Sequence, residues 1–271
     1  MGLEIKGLTA FSHVLTESNT THKSVPMLMS SVTAHDFNSI YRQKGIITAF
    51  KEAGYRTAFF SNQRYNHSFI DFFGKEADIC DFIKEDTGDG SYNPSDDELL
   101  KLVAAELAEN ASKQFIVLHT YGSHFNYRER YPANNAFFLP DFPVDAELKY
   151  KDNLINAYDN SIRYTDNFLA RLIRMLQEQD IDTAMLYTSD HGEDIFDDDR
   201  HLFLHASPVP SYYQIHVPFL IWMSDNYRKN YPDLFKNAEI NRQKIISSSA
   251  SFFQTMLELG GIDTPSRNDS L

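Results

Sequence analysis

Cysteine occurs once in these 271 residues, as Cys80, so no disulfide forms within the chain and cysteine usage argues for no particular compartment. Basic residues are also scarce: 25 Lys and Arg stand against 38 Asp and Glu, a net charge of −13. That balance argues against a nucleic-acid partner, because a phosphate backbone is gripped by a basic face. Long apolar runs are absent. A membrane span needs about 20 such residues, and the longest candidate, 217–223, is interrupted by Pro218. No signal-peptide pattern opens the chain, and there are no internal repeats or low-complexity tracts. An apparent strand at 8–15 begins almost at once, as in a piece of something longer.

What is present is a chain that can build a core. The apolar share is 42%, with 21 Phe and 15 Tyr, and the length fits one large α/β domain. Strand-like runs recur at 11–15, 57–60, 115–119, 183–188 and 218–223, with helical patterns between them. This rhythm predicts a mostly parallel central sheet with helices on both faces. Ser95, Asp96, Asp97 and Glu98 form a helix start, with a capping hydroxyl or carboxylate and acids in the positive first turn. Leu154, Tyr158, Ile162, Thr165, Leu169, Leu172 and Leu176 mark a long helix. A last helix near 249–259 stops at Gly260 and Gly261, which suits a left-handed C-cap. Residues 127–144, rich in Pro, Asn and Phe, read as a surface excursion near the site. The run Asp197, Asp198, Asp199 reads as a solvated loop.

The most informative stretch is AMLYTSDHGED, residues 184–194, where an apolar run empties into Asp190 and His191. Open α/β folds place their chemistry at the carboxyl ends of such strands. A carboxylate beside an imidazole there, with Gly192 to let the backbone turn, suits a divalent metal such as zinc. The plainer alternative makes Asp190 the cap of a following helix and leaves His191 idle.

Three further segments carry candidates. In residues 18–30, SNTTHKSVPMLMS, Pro26 suits the first turn of a helix with Ser24 as its N-cap. Thr20 and Thr21 would then lie just upstream of a positive helix end, where a phosphoryl group is welcome. A threonine hydroxyl is a poor nucleophile near neutral pH without a metal or base. Taken alone, such Ser/Thr clusters serve capping and turns. In residues 115–132 a second strand runs into Gly122, Ser123 and His124, while His119 inside the run reads as a satisfied core histidine. In residues 200–208, RHLFLHASP, His205 is the favoured candidate; His201, beside Arg200, serves equally as a solvent-facing residue.

The ordered set THKSVP, GSH, SDHGED and LHASP resembles the phosphoethanolamine transferases, membrane-anchored members of the sulfatase and alkaline-phosphatase superfamily. The likeness runs from about residue 11 to the last helix and takes in FFSNQ (59–63), DDELL (96–100) and NAYDNSIRYTD (156–166). It implies an alkaline-phosphatase/sulfatase-like α/β fold and a single catalytic domain over residues 1–271. Thr21 would be the nucleophile and a zinc ligand; Asp190 and His191 would ligate the catalytic zinc. His124 and His205 would hold the substrate phosphate, shuttle protons or bind a second zinc, so one or two zinc ions are implied. The implied donor is phosphatidylethanolamine, and the acceptor lipid A, a lipopolysaccharide core sugar or a related glycan. The setting would be the periplasmic face of the inner membrane, with the anchor outside these residues.

Two departures stand out. The family's first strand, ending in Gly-Glu, supplies a further zinc ligand well upstream of the nucleophile, and only 20 residues precede Thr21 here. None of Glu4, Lys6 or Glu17 stands in that context, so either the chain is truncated or its metal is held differently, and a zinc site short of one carboxylate is expected to be weaker or more open. The single cysteine is the second departure, since many members staple their loops. Rival readings remain. Ser24-Val25-Pro26-Met27-Leu28 lacks the arginine a formylglycine sulfatase needs. A threonine-dependent phosphodiesterase or glycerol-phosphate transferase fits the same motifs, and a non-catalytic binding remnant fits the missing glutamate.

Overall fold

The computed structural model describes residues 5–83 and 95–263. The chain opens with β1 (Leu8–Ala10), β2 (His13–Leu15), α1 (Thr21–Met29) and α2 (Ile46–Glu52). It continues through β3 (Arg56–Ser61), α3 (Phe69–Gly74), β4 (Ile79–Phe82), α4 (Asp97–Ala108), β5 (Gln114–His119) and α5 (Lys151–Gln177). Then come β6 (Ala184–Thr188), β7 (Asp194–Ile195), β8 (Phe203–Leu204), α6 (Tyr212–Ile215) and β9 (Phe219–Met223). The last elements are α7 (Asp225–Asn230), α8 (Pro232–Asn241), β10 (Ile245–Ser247) and α9 (Ser248–Leu259). These form an α/β architecture in two compact units.

The first unit gathers residues 1–53, 173–192 and 205–271. Its sheet has the order β1-β9-β6, and β9 runs antiparallel to both neighbours. A second, parallel pair joins β10 to β2. The run at 8–15 is therefore not one strand but two, in different sheets. The switch occurs at Phe11 and Ser12, whose N–H groups donate to Phe219 O and Arg242 O, each at 3.0 Å. Phe11, Val14, Phe219, Ile221, Met223 and Ile246 then bury together as this unit's core. Helix α9 ends as its glycines predict: Gly261 takes φ +61° and Ile262 N donates to Leu257 O at 2.8 Å.

The second unit holds residues 54–172 and 193–204. Its sheet, β4-β3-β5, is parallel throughout. Strand β4, half-exposed with the polar Asp81 inside it, carries too weak an apolar signal to be read from sequence. Helix α5 buries Leu154, Ala157, Ser161, Tyr164, Phe168 and Leu172, a 3–4–3–4–4 spacing that keeps one face inward. Ile162, counted in the apolar stripe from sequence, is 46% exposed, because it lies off that face. Asp198 is held by Arg200 at 2.7 Å, and that guanidinium pulls its carboxyl below the usual range.

Candidate active site

Helix α1 begins earlier than its proline suggests. Thr20 is the extended N-cap (φ −143°, ψ 132°), Thr21 is the first helical residue, and Pro26 lies inside the helix. Ser24 is thus not the cap. Its buried hydroxyl shares one proton between the carbonyls of Ser18 (2.9 Å) and Thr20 (3.0 Å), bracing the turn that leads into the helix. The first helical N–H bonds come from Lys23 and Ser24 to Thr20 O. Thr21 and His22 precede them, so their N–H groups belong to the positive end of the helix.

Strand β6 delivers the second part. Past Thr188 the chain turns at Ser189, whose hydroxyl donates to His191 O at 2.7 Å. No helix follows; the next elements are the short strands β7 and β8, so Asp190 caps nothing. His191 is buried, and its Nδ1 lies 2.9 Å from Gly192 O. A carbonyl oxygen only accepts, so Nδ1 carries the proton and donates, which leaves Nε2 as the acceptor in the neutral ring. Nε2 lies 3.1 Å from Thr21 Oγ1 and 3.5 Å from Asp190 Oδ2. An acceptor nitrogen facing a carboxylate oxygen asks for a proton or a cation between them.

The donor set fits zinc. Nitrogen and oxygen ligands about 2.0–2.1 Å from a tetrahedral ion stand roughly 3.3 Å from one another. The 3.1 and 3.5 Å separations bracket that spacing. The Gly192 carbonyl supplies the outer hydrogen bond that metal-bound imidazoles ordinarily make. The same Thr21–His191 contact also has the form of a nucleophile beside a base. Both possibilities place Thr21 at the centre.

His205 joins this group, its ring centroid 4.1 Å from that of His191. The backbone holds His205 between two left-handed residues, Leu204 and Ala206, each at φ +65°. Non-glycine residues in that region are strained, and such strain gathers at functional sites. Ala206 N donates to Asn19 O at 3.1 Å, tying this loop to the chain just before Thr21.

One residue that sequence reading missed, Gln214, holds the site together. Gln214 is fully buried; its Oε1 accepts from Asn19 Nδ2 at 2.6 Å and its Nε2 donates to Ser207 Oγ at 2.9 Å. Its carbonyl accepts from Gly192 N at 2.9 Å. One glutamine therefore links the approach to α1, the loop after His205 and the turn after His191. Gln214→Ala should lower stability by about 2 kcal/mol, since Asn19 and Ser207 lose buried partners. Thermal melting measures this, and an unchanged midpoint would remove Gln214 from the clamp. Gly192 is needed for space, not for a special turn: an added Cβ would overlap Tyr213 O and lie 3.2 Å from His216 O.

In the second unit, Asp96 shapes the turn that carries His124. Its carboxylate accepts from Tyr121 N (2.8 Å), Gly122 N (2.9 Å) and Asn62 Nδ2 (2.7 Å). Asp96 is the N-cap position of α4, yet its side chain caps nothing; Ser95 Oγ accepts from Asp97 N instead, at 3.3 Å. Gly122 takes φ +59°, which the reversal requires. His124 follows with an exposed ring, its Nδ1 2.5 Å from Phe125 O. His119 is satisfied, as expected, by Ser61 Oγ at 2.9 Å. His201 is exposed, with φ +51°.

A family model described as Sulfatase matches residues 3–262. Phosphoethanolamine transferase EptC of Escherichia coli is 25% identical over 262 residues, 94% of this chain and 44% of that protein. The Kdo(2)-lipid A phosphoethanolamine 7''-transferase of Escherichia coli is 34% identical over 180 residues, 64% of this chain and 31% of its own. The chain thus spans less than half the length of these curated relatives. A crystal structure of the C-terminal periplasmic domain of EcEptC from Escherichia coli, in complex with Zn, superposes with a TM-score of 0.88. It shares 23% identity, over 98% of this chain and 74% of that one. Among the described residues no helix is long and apolar enough to cross a membrane.

Proposed function

The chain belongs to the sulfatase family, and from that membership we propose that it transfers phosphoethanolamine through a covalent intermediate on Thr21. The donor is phosphatidylethanolamine and the acceptor lipid A or a related glycan. The acceptor class draws on the name of a relative that acts on Kdo(2)-lipid A, and the setting, the periplasmic face of the inner membrane, on neighbours described as a periplasmic domain and an integral membrane protein. One observation carries the reading: Thr21 Oγ1 meets His191 Nε2 at 3.1 Å, at the first residue of α1.

Thr21 Oγ attacks the phosphorus of the donor, forming a new P–O bond while the bond to diacylglycerol breaks. The acceptor hydroxyl then attacks the same phosphorus, and the P–Oγ bond breaks to restore threonine. Thr21, Asp190 and His191 would hold zinc, which when bound lowers the threonine pKa and offsets charge on the phosphoryl oxygens. The first N–H groups of α1 face the same developing charge. His205 and His124 are assigned to the phosphate oxygens or to carrying the proton to the departing diacylglycerol oxygen.

Metal analysis with a lipid assay tests this. The purified protein should carry at least one zinc per chain, and chelation should abolish diacylglycerol release from a fluorescent phosphatidylethanolamine, with recovery on adding zinc back. Asp190→Asn should lose metal and activity together. A phosphodiesterase would release diacylglycerol with no mass adduct on Thr21. A binding remnant would release none, and protein that stays metal-free in zinc-containing buffer would favour it.

A further inference from the structure

Residues 131–143 of the second unit present a row of large apolar side chains to solvent: Phe137 is 64% exposed, Leu139 66% and Phe142 70%. The loop behind them is firmly held. Asn153, Asn156 and Asn160, spaced three and four apart on α5, all reach into it. Asn160 Oδ1 accepts from Phe137 N (2.8 Å) and Phe138 N (2.9 Å), and its Nδ2 donates to Phe138 O at 2.9 Å. Asn156 Nδ2 donates to Pro140 O at 2.8 Å, and Asn153 Nδ2 to Phe142 O at 2.9 Å. Pro140 and Pro143 have no N–H to satisfy. Five backbone groups beneath the exposed rings, Phe137 N, Phe138 N and O, Pro140 O and Phe142 O, are therefore met from within, an arrangement that favours low-dielectric surroundings.

The charges point the same way. Asp141, the one carboxylate of residues 131–143, is turned inward, 2.8 Å from Tyr131 Oη and 3.0 Å from Arg128 Nε. Burial and that carboxylate push the Tyr131 phenol up to about 12, so it stays a donor. At the rim, the Arg163 guanidinium lies 4.5 Å from the centre of the Phe137 ring. In a chain of net charge −13, residues 131–143 themselves carry no outward carboxylate and have a cation beside their aromatics, while the exposed Glu129, Asp145 and Asp152 lie outside the loop. Beyond it Glu147 is paired with Lys149 at 2.8 Å. Apolar rings edged by a guanidinium match the boundary between acyl chains and phosphate headgroups.

We propose that this aromatic loop is a membrane-contact element, seating Phe137, Leu139 and Phe142 in the interfacial layer of a phospholipid bilayer with Arg163 at the headgroup phosphates. The assignment is independent of the transfer reaction, and a Thr21→Ala protein should bind lipid as the unaltered chain does. The test uses vesicles of phosphatidylcholine and phosphatidylethanolamine, chosen because an acidic protein is repelled by anionic lipid. The chain should co-sediment with them, and F137S/F142S should lose roughly tenfold or more of the partitioning for each ring removed. Both positions are exposed, so melting should be unchanged. As a second measurement, Phe142→Trp should shift its emission to the blue on vesicles and be quenched by brominated lipid; the single native tryptophan, Trp222, is fully buried. Undiminished sedimentation of F137S/F142S, or a Phe142→Trp protein that is silent to lipid, would overturn the proposal. So would a blue shift that follows protein concentration without lipid, which would assign the face to a second copy of the chain.

Discussion

Replacing Thr21 with alanine is expected to reduce transfer on the order of 10⁴-fold or more, while leaving the protein folded and able to take up metal. A nucleophile's oxygen has no substitute in a covalent mechanism, and losses of this size accompany its removal in enzymes that use one. The structural cost is small. Thr21 is half-buried, sits at the first position of α1 and bonds through its hydroxyl to His191. Alanine is a strong helix former, so stability should stay within about 0.5 kcal/mol. Diacylglycerol release, thermal melting and metal analysis measure the three parts, and intact mass after incubation with donor reports the adduct. Thr21→Ser should still acquire the adduct, because it keeps an oxygen at the same place. A Thr21→Ala protein that releases diacylglycerol at the unaltered rate would end the covalent reading.

A larger effect on the fold is expected from Gly192→Ala. The new methyl group would overlap Tyr213 O and press against His216 O, both backbone atoms that no side-chain rotation moves aside. Relief requires residues 211–216 to shift, and Gln214 sits among them, bonded to Asn19, Ser207 and Gly192 itself. Overpacking against fixed backbone costs about 3 kcal/mol. For a protein of this size that lowers the melting midpoint by roughly 6–12 °C. Because the Gly192 carbonyl also fixes the His191 ring, zinc affinity should fall with stability. Melting together with a zinc titration checks both. A protein that melts normally would show that the close approach at Gly192 can relax.

Much of this arrangement was legible in the residues. The strands at 57–60, 115–119 and 183–188 are short apolar runs ending in polar tips; the first is buried on both faces, and the other two stay recognisable by their apolar run although half-exposed. Thr21, Asp190, His191 and His205 are conspicuous because hydroxyl, carboxylate and imidazole groups gather at strand and helix ends. The break of 8–15 into two strands was not legible, since only the partners β9 and β10, far along the chain, decide where pairing switches. The start of α1 was misplaced because Pro26 usually marks a first turn, and here it lies inside the helix, with Thr20 as the N-cap. Gln214 left no trace at all: a buried amide in the sequence YYQIH has no periodicity or motif to announce it. Asp96 shows how a correct element hides a different role. The acidic run does start a helix, but this carboxylate spends its oxygens on Tyr121, Gly122 and Asn62.

The strand order β1-β9-β6 pairs Leu8 with Trp222 and Met185 with Trp222 from the opposite side. During synthesis, therefore, Thr21 leaves the ribosome long before the strand that completes its scaffold exists. Residues 54–172 close most of their pairings among near neighbours and can settle first, whereas the unit that holds Thr21 waits on loop closures spanning most of the polypeptide. An interrupted translation product would carry Thr21 without Asp190 and His191 beside it, so this cluster of side chains assembles only after strand β6 has emerged.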